Sequence, residues 1–478
     1  AVASGRGGGR SPARVESCPM RRKVYLETFG CQMNELDSEL VMGQLRARGY
    51  ESVGERSAAD VVLYNTCSVR EHAEQKVWSR LGELREEKAA RPSLVIGVIG
   101  CMAEREGAGL LSRYPHVDVL CGPAELDKLP ALLHNAVVTG GGPQVALMGA
   151  AARRSGTLAA AQDTLEMLDL SRSVSPSDGS AQAYVRITRG CNKHCAYCVV
   201  PHTRGPEVHR PPGNIVEEVR RLAEAGAAEV TLLGQTVNHY AYRHGDGRTT
   251  SFADLLYQVH EAVPSLPRLR FVTSFPRDFT DEALAAMRDC PRICRYLHVP
   301  AQSGSDRILR AMNRGYAASQ YRDFIARARE MMPDISLASD FIVGYPTETE
   351  EDFEATLDLI RHGRFKNSFI FKYSPRPGTV AVSRFSDDVP DEVKRRRNRI
   401  ALDEQGRVSE ELNREMVGRR VEVLVEGASK LQSRRGGRVE LGWERRDEAG
   451  GVCQLTGRTR GDQVVVFDAD PSLKGRLV

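Results

Sequence analysis

No run of the chain approaches the ~18 consecutive apolar residues that a membrane-spanning helix requires, so no transmembrane segment is expected. An apolar signal core is missing as well. The opening Ala1-Val2-Ala3-Ser4-Gly5-Arg6 begins a Gly-, Arg- and Ser-rich stretch, residues 1–21, that reads as a disordered tail; its acid-poor, Arg-rich make-up is also that of an organelle transit peptide. Nor does charge of one sign dominate. With 67 Lys and Arg against 63 Asp and Glu, the formal net charge of +4 permits an RNA partner without arguing for one, because the placement of charge decides. The eleven cysteines lack the even count of a disulfide framework, and six of them form two metal-like groups. That favours a reducing compartment, and a cytoplasmic location is expected.

A second CxxC pair is also missing, and this decides how the densest thiol string is read. Cys191-Asn192-Lys193-His194-Cys195-Ala196-Tyr197-Cys198 follows the strand-like run Tyr184-Val185-Arg186-Ile187-Thr188, so its three thiols sit on a loop past a strand end. Three cysteines cannot close a tetrahedral zinc site alone. They can hold a cubane iron-sulfur cluster with its fourth iron open to a small molecule. His194 and His202 are the nearby side chains that a zinc site would have to recruit. The string resembles the signature of the radical S-adenosylmethionine (SAM) enzymes, and the resemblance implies a 4Fe-4S cluster on Cys191, Cys195 and Cys198 whose open iron takes SAM.

A length of 478 residues suggests about three domains, and 41% apolar with 27% charged residues is ordinary for a globular chain. Strand-like and helix-like runs alternate from residue 22 to 138, the pattern of an α/β domain. Val24-Tyr25-Leu26-Glu27-Thr28-Phe29 leads to Cys31, Val61-Val62-Leu63-Tyr64-Asn65-Thr66 to Cys67, and Leu94-Val95-Ile96-Gly97-Val98-Ile99-Gly100 to Cys101. In a parallel sheet the carboxyl ends share one edge, so three thiols spaced roughly 35 residues apart would meet there. Each alone is more often a small buried hydrophobe; three repeats of strand then Cys favour a second cluster. Cys18 and Cys121 lie outside the pattern and read as structural or incidental.

Here the sequence is similar to the methylthiotransferases, through Phe29-Gly30-Cys31-Gln32-Met33-Asn34, Asn65-Thr66-Cys67-Ser68-Val69-Arg70 and Gly100-Cys101-Met102-Ala103-Glu104-Arg105. It is most similar to the tRNA-modifying MiaB type; relatives acting on a ribosomal protein carry Gly-Cys-Pro-Lys-Asn in place of Gly30-Cys31-Gln32-Met33-Asn34. The resemblance implies a second 4Fe-4S cluster on Cys31, Cys67 and Cys101 that handles sulfur.

Residues 139–180, rich in Gly, Ala and Ser, read as a connector with a short helix around Asp163 to Leu168. From 181 to 415 six strand candidates (Val185–Thr188, Glu229–Leu233, Leu269–Thr273, Tyr296–Val299, Leu337–Val343 and Phe369–Tyr373) alternate with helices, which fits an incomplete (β/α)6 barrel with its site at the carboxyl ends of the strands. By resemblance, His298-Val299-Pro300-Ala301-Gln302-Ser303-Gly304-Ser305 is a SAM-contacting segment. Gln302 and Ser303 are expected at the ribose, Tyr197 against the adenine, and Gln235 and Asp340 as further contacts. Phe275 and Thr236 depart from the family, which has His and Asn there.

A basic helix is expected from Asp391 to Arg414, its charge run read as a solvated face. Residues 416–478 hold 12 Lys and Arg against 9 Asp and Glu, with strand patterns at Val421–Val425, Arg438–Leu441, Val452–Leu455 and Gln463–Phe467 that suggest a small β-barrel. Glu426-Gly427-Ala428-Ser429-Lys430 and Thr456-Gly457-Arg458-Thr459 are similar to the nucleic-acid-binding TRAM module, so Lys430, Arg458 and Arg460 are expected at tRNA phosphates. The resemblance as a whole implies a monomeric methylthiotransferase acting on the N6-isopentenylated adenosine beside the anticodon of tRNA, reduced by a donor such as flavodoxin or ferredoxin. The rivals are the same chemistry on threonylcarbamoyladenosine or a ribosomal protein, and a non-catalytic RNA-binding relative.

Overall fold

A computed structural model describes residues 22–69, 71–139, 142–149, 166–172, 181–429 and 453–478. The first sheet is built from β1 (Lys23–Phe29), β2 (Glu51–Ser52), β3 (Val61–Thr66), β4 (Val95–Gly100), β5 (Val119–Cys121) and β6 (Gln144–Ala146), all parallel in the order β2-β1-β3-β4-β5-β6. β3 and β4 are buried along their whole length, as strands covered by helices on both faces must be. Val77, Leu81 and Leu84 of the helix Glu71–Ala90 close one face; Leu36, Leu40 and Leu45 of the helix Gln32–Ala47 close the other.

β6 corrects the reading of residues 139–180 as a connector. The buried strand β5 would otherwise leave an open edge of unpaired amides and carbonyls, and Gln144–Ala146 covers it. Residues 166–170 of the same stretch are helical, and Asp169 on that turn is buried.

The central part carries β7 (Gln182–Arg186), the antiparallel pair β8 (Thr188–Arg189) and β9 (Val208–His209), β10 (Glu229–Leu233), the hairpin β11 (Ala241–Arg243) and β12 (Thr249–Ser251), β13 (Arg268–Phe271), β14 (Tyr296–His298), β15 (Ser336–Val343) and β16 (Asn367–Lys372). Its parallel strands form two three-stranded sheets, β13-β10-β7 and β14-β15-β16. Main-chain bonds at Leu269, to Arg292 and from Cys294, both 2.8 Å, stitch one to the other beside the Leu269–Ile293 bridge. The two sheets share one core with the surrounding helices, in which Val185, Leu232, Phe271, Leu297 and Phe341 meet Ile215, Leu256, Phe324 and Leu357.

The helix Asp391–Glu415 forms where its charge pattern predicts, but its basic run is not all solvated. Lys394 and Arg397 are buried, and Arg397 donates to Glu348 at 2.8 Å. Beyond it β17 (Val423–Ala428), β18 (Cys453–Thr459) and β19 (Val464–Ala469) make an antiparallel sheet; the strand expected at Arg438–Leu441 lies outside the described residues. This sheet docks on the amino-terminal ends of the central strands. Arg268, with no exposed surface, donates to the Glu422 carboxylate at 2.8 Å and to the carbonyls of Glu422 and Arg458 at 2.9 Å. Lys366 pairs with Asp462 at 2.7 Å, and the Gln463 amide reaches Ser336 Oγ at 2.8 Å.

Two residues expected at tRNA phosphates have partners within the fold. Arg458 is spent on Glu426 at 2.8 Å and Asp462 at 3.1 Å, and Arg460 donates to the carbonyls of Pro291 and Ile293. Lys430 lies outside the described residues. No helix among the described residues is long and apolar enough to cross a membrane.

Replacing Arg268 by Ala strands buried carbonyls at this junction and should weaken docking by about 2 kcal/mol. Limited proteolysis should then release the segment after residue 415 faster than in the wild type, with the helix Asp391–Glu415 still protected.

Candidate functional site

Cys31 is the N-cap of the helix Gln32–Ala47, Cys67 follows β3 directly, and Cys101 follows β4 directly, so the parallel sheet brings all three thiols to one edge. Tight packing keeps them there. A β-carbon on Gly30 would stand 2.6 Å from Cys67 Cβ, and one on Gly100, whose φ is +88°, would stand 2.3 Å from Asn65 Oδ1. Asn34 and Asn65 are locked together by two bonds of 2.9 Å, and Cys31 Sγ lies 3.2 Å from Asn34 Oδ1. The Cys67 thiol donates to Cys31, which outweighs burial and, with the nearby Arg204 charge, holds Cys31 down at about 6. That same bond and burial push Cys67 well up, and burial raises Cys101.

The loop of the second triad is clamped by its neighbours. Ala196 N bonds Met312 O at 2.9 Å, Ala381 N bonds Ala196 O at 2.7 Å, and Asn313 Nδ2 bonds His194 O at 2.8 Å. Cys191 and Cys195 are buried, and burial pushes the Cys198 thiol up to about 12. Arg314, a residue that no sequence motif marks, places a buried guanidinium 3.4 Å from Cys195 Sγ while donating to Pro300 O at 2.8 Å. Both departures from the family pattern sit at this loop. Thr236 Oγ1 is 3.7 Å from Cys191 Sγ, and the Phe275 ring lies 4.4 Å from the Arg314 guanidinium and 5.1 Å from Lys193 Nζ. Among the described residues no three Cys, His, Asp or Glu side chains converge on a single ion. Thiolates that each ligate a different iron of a cubane stand further apart than the ligands of one ion, and an all-thiolate donor set suits iron-sulfur chemistry.

Two cavities open beside these triads. The larger, about 940 Å³, is lined by Tyr197, Cys198, Gln302 and Asp340. The smaller, about 240 Å³, is lined by Cys31, Cys67, Gln235, His298 and Asp340. Val69, Asp340 and Phe371 belong to both. Tyr197, Gln302 and Asp340 are thus brought together, whereas Gln235 lines the smaller cavity with Cys31, Cys67 and Asp340. Gln302 holds a left-handed φ of 73°, fixed by main-chain bonds to Asp340 at 2.8 Å and Ile342 at 2.9 Å. Ser303, also expected at the ribose, is placed differently from Gln302. It has no exposed surface, lines neither cavity, and bonds Thr356 Oγ1 at 3.3 Å and Ser305 N at 3.1 Å, because the chain here lies flat against the helix Glu350–Gly363. Asp340 accepts from His298 Nε2 at 3.0 Å; burial opposes the charged imidazole, but the Asp340 carboxylate prevails and raises its pKa.

The two triads are held in one frame by charges that sequence reasoning missed. Asp37, from the helix that Cys31 caps, accepts from Arg186 at 2.7 Å and Arg204 at 2.8 Å. Asp169 accepts from Arg186 at 2.5 Å and pairs with Arg210 at 3.3 Å, and Arg172 joins Glu39 at 2.6 Å to Glu218 at 3.0 Å. The ten described cysteines are free thiols, and Cys121, which donates to Glu125 O at 3.1 Å, lies outside both triads.

Comparison with known proteins places these features. Residues 23–122 match the family described as "Uncharacterized protein family UPF0004" and residues 185–360 the Radical SAM superfamily. The chain is 46% identical to a tRNA-2-methylthio-N(6)-dimethylallyladenosine synthase of Rhodopirellula baltica, across 96% of this chain and 92% of that protein. Proteins of the same name from Acetivibrio thermocellus and Neisseria gonorrhoeae are 42% and 41% identical, each across 96% of this chain and across 88% and 96% of their own lengths. A solved structure of TsrM from Kitasatospora setae, a radical SAM methyltransferase with cobalamin and a [4Fe-4S] cluster bound, superposes with a TM-score of 0.54 at 15% identity over 76% of this chain and 77% of that one, a likeness of fold alone.

The packing around the first triad and the buried charge at Glu348 can each be tested. Gly100→Ala forces a left-handed backbone that costs an L-residue about 1–2 kcal/mol and drives a methyl group into Asn65. Iron bound by the Cys31, Cys67 and Cys101 set on anaerobic reconstitution should fall while iron at the other set is retained, read in a background with Cys191, Cys195 and Cys198 changed to Ala and in its converse. Glu348 provides the pH test. Burial raises its carboxyl from 4.5 to about 7, against the pull of Gly344 N and Arg397. The folded chain therefore holds a proton that the unfolded chain has lost, and this contribution to stability is full below pH 4.5 and disappears as pH rises through about 7. Glu348→Gln should flatten that decline in a melting-temperature profile of the apoprotein.

Proposed function

Because the chain belongs to the family of the tRNA-2-methylthio-N(6)-dimethylallyladenosine synthases and carries a radical SAM domain, which implies SAM and a 4Fe-4S cluster, we propose that it inserts a methylthio group at C2 of the N6-isopentenylated adenosine beside the anticodon of tRNA. One observation carries the reading: Cys198 of one triad and Cys31 and Cys67 of the other line cavities that share a wall, so one substrate carbon has access to both triads. When bound, a cluster at Cys191, Cys195 and Cys198 would supply the electron that splits one SAM to methionine and a 5′-deoxyadenosyl radical, which would take the C2 hydrogen, and a second cluster at Cys31, Cys67 and Cys101 would supply the sulfur, whose methyl group would come from a second SAM.

The side chains then have separate tasks. Tyr197 and Gln302 line the space for the adenosyl group of SAM, with Asp340 on the wall it shares with the smaller cavity. Arg314 sets a positive charge against Cys195 and so offsets the negative charge of thiolate ligation. Arg204 does the same for the first triad. A neutral aromatic C–H offers no proton that a side chain can usefully take, so these residues bind, orient and exclude water rather than act as acids or bases. The three-stranded carboxyl-terminal sheet is a TRAM module in this reading and the two parallel sheets an incomplete barrel. The working enzyme is a cytoplasmic monomer reduced by flavodoxin or ferredoxin.

Triple replacements by Ala test the division of labour. Changing Cys31, Cys67 and Cys101 should leave SAM cleavage to 5′-deoxyadenosine intact and abolish methylthiolation in nucleoside mass spectrometry. Changing Cys191, Cys195 and Cys198 should abolish both and leave roughly half the iron. Complete loss of iron in either variant contradicts two independent sites, and methylthiolation confined to threonylcarbamoyladenosine contradicts the substrate.

A further inference from the structure

Three residues line both cavities, and two of them are apolar and unusually open to solvent for their kind: Val69 is 57% exposed and Phe371 40% exposed. Large apolar side chains in a water-filled cleft are costly unless a ligand covers them. Neither residue is there to complete a core. Val69 lies two positions beyond Cys67, its amide 3.2 Å from the Cys67 sulfur and its carbonyl accepting from Arg376 at 3.1 Å, so the backbone under it is pinned on both sides. Phe371 stands on β16 with the Phe369 ring beside it, centroids 6.4 Å apart and planes 16° from parallel, so a second ring backs it. The remaining shared residue, Asp340, is held by His298 and supplies a polar edge.

We propose that Val69 and Phe371 form the seat for the branched five-carbon substituent and the adenine ring of the substrate nucleoside, and so determine that prenylated rather than unmodified adenosine is accepted. The inference rests on the function proposed above, because the reacting carbon must be reachable from both triads and the wall common to both cavities is where that condition is met. A dimethylallyl group has no hydrogen-bonding atoms, so only apolar contact can recognise it, and a flat aromatic face also suits a purine. The larger cavity has other apolar residues, Val199, Ile342, Tyr373 and Val389 among them, but these line it alone and not the wall it shares with the smaller one.

The test uses the reconstituted holoenzyme and two synthetic anticodon stem-loops that differ only in the dimethylallyl group. In the wild type the prenylated RNA should bind more tightly. Phe371→Ala should weaken binding of the prenylated RNA about tenfold, equivalent to ~1.4 kcal/mol, and change binding of the unmodified RNA by less than about twofold. Phe371→Leu, which keeps apolar bulk, should recover most of the preference, and Val69→Ser should lose part of it. Iron content and 5′-deoxyadenosine formation without RNA report that each variant is folded and loaded. Equal weakening for both RNAs, or a preference unchanged in Phe371→Ala and Val69→Ser while the wild type still methylthiolates the prenylated RNA, overturns the assignment and leaves the proposed function standing. Failure of the wild type to methylthiolate either RNA overturns both.

Discussion

Asp37 has no contact with solvent, and two guanidinium groups from the central region close on its two oxygens. A carboxylate taken out of water is tolerable only with such partners, and removing one partner of a buried pair costs about 3–5 kcal/mol. Asp169 extends the arrangement: burial alone would favour its neutral form, but Arg186, Arg189 and Arg210 hold it ionised. These charges fix the helix Gln32–Ala47 against the central strands, where its Met33, Leu36 and Leu40 share a core with Leu233, Val272 and Tyr296. The wall common to the two cavities depends on that docking.

The cysteines were legible because each is announced locally. A short apolar strand, a glycine for two of the three in the first group, then a thiol is a pattern that survives without knowledge of the fold, and parallel pairing does the rest. The arginine network was not legible. Arg186 and Asp37 are 149 residues apart and Arg172 and Glu39 are 133 apart, and nothing in a string of letters distinguishes an arginine that will be buried from one that will be solvated. Arg458 and Arg460 show the same limit: in sequence their positive charge looks alike whether it faces RNA or has Glu426 and a backbone carbonyl as partners. Lys394 and Arg397 err in the other direction, since a charged run on a helix hid two positions turned inward.

Gln302 and Ser303 illustrate a different limit. Their string is recognisable, but which side chain of a string faces a cavity is set by backbone conformation. Gln302 faces it because its φ is positive and two bonds to β15 hold it there, and its neighbour is turned toward the following helix in consequence.

The helix Gln32–Ala47 has one property that reaches beyond geometry. It begins at a thiol proposed to ligate a cluster, carries the carboxylate that the central arginines grip, and supplies apolar side chains to the shared core, all within its first three turns. Were a cluster to bind at Cys31, thermodynamic linkage would tie its loading to domain docking: a docked state that holds the Cys31 thiol in place would bind the cluster more tightly than a separated one, and loading would favour docking by the same factor.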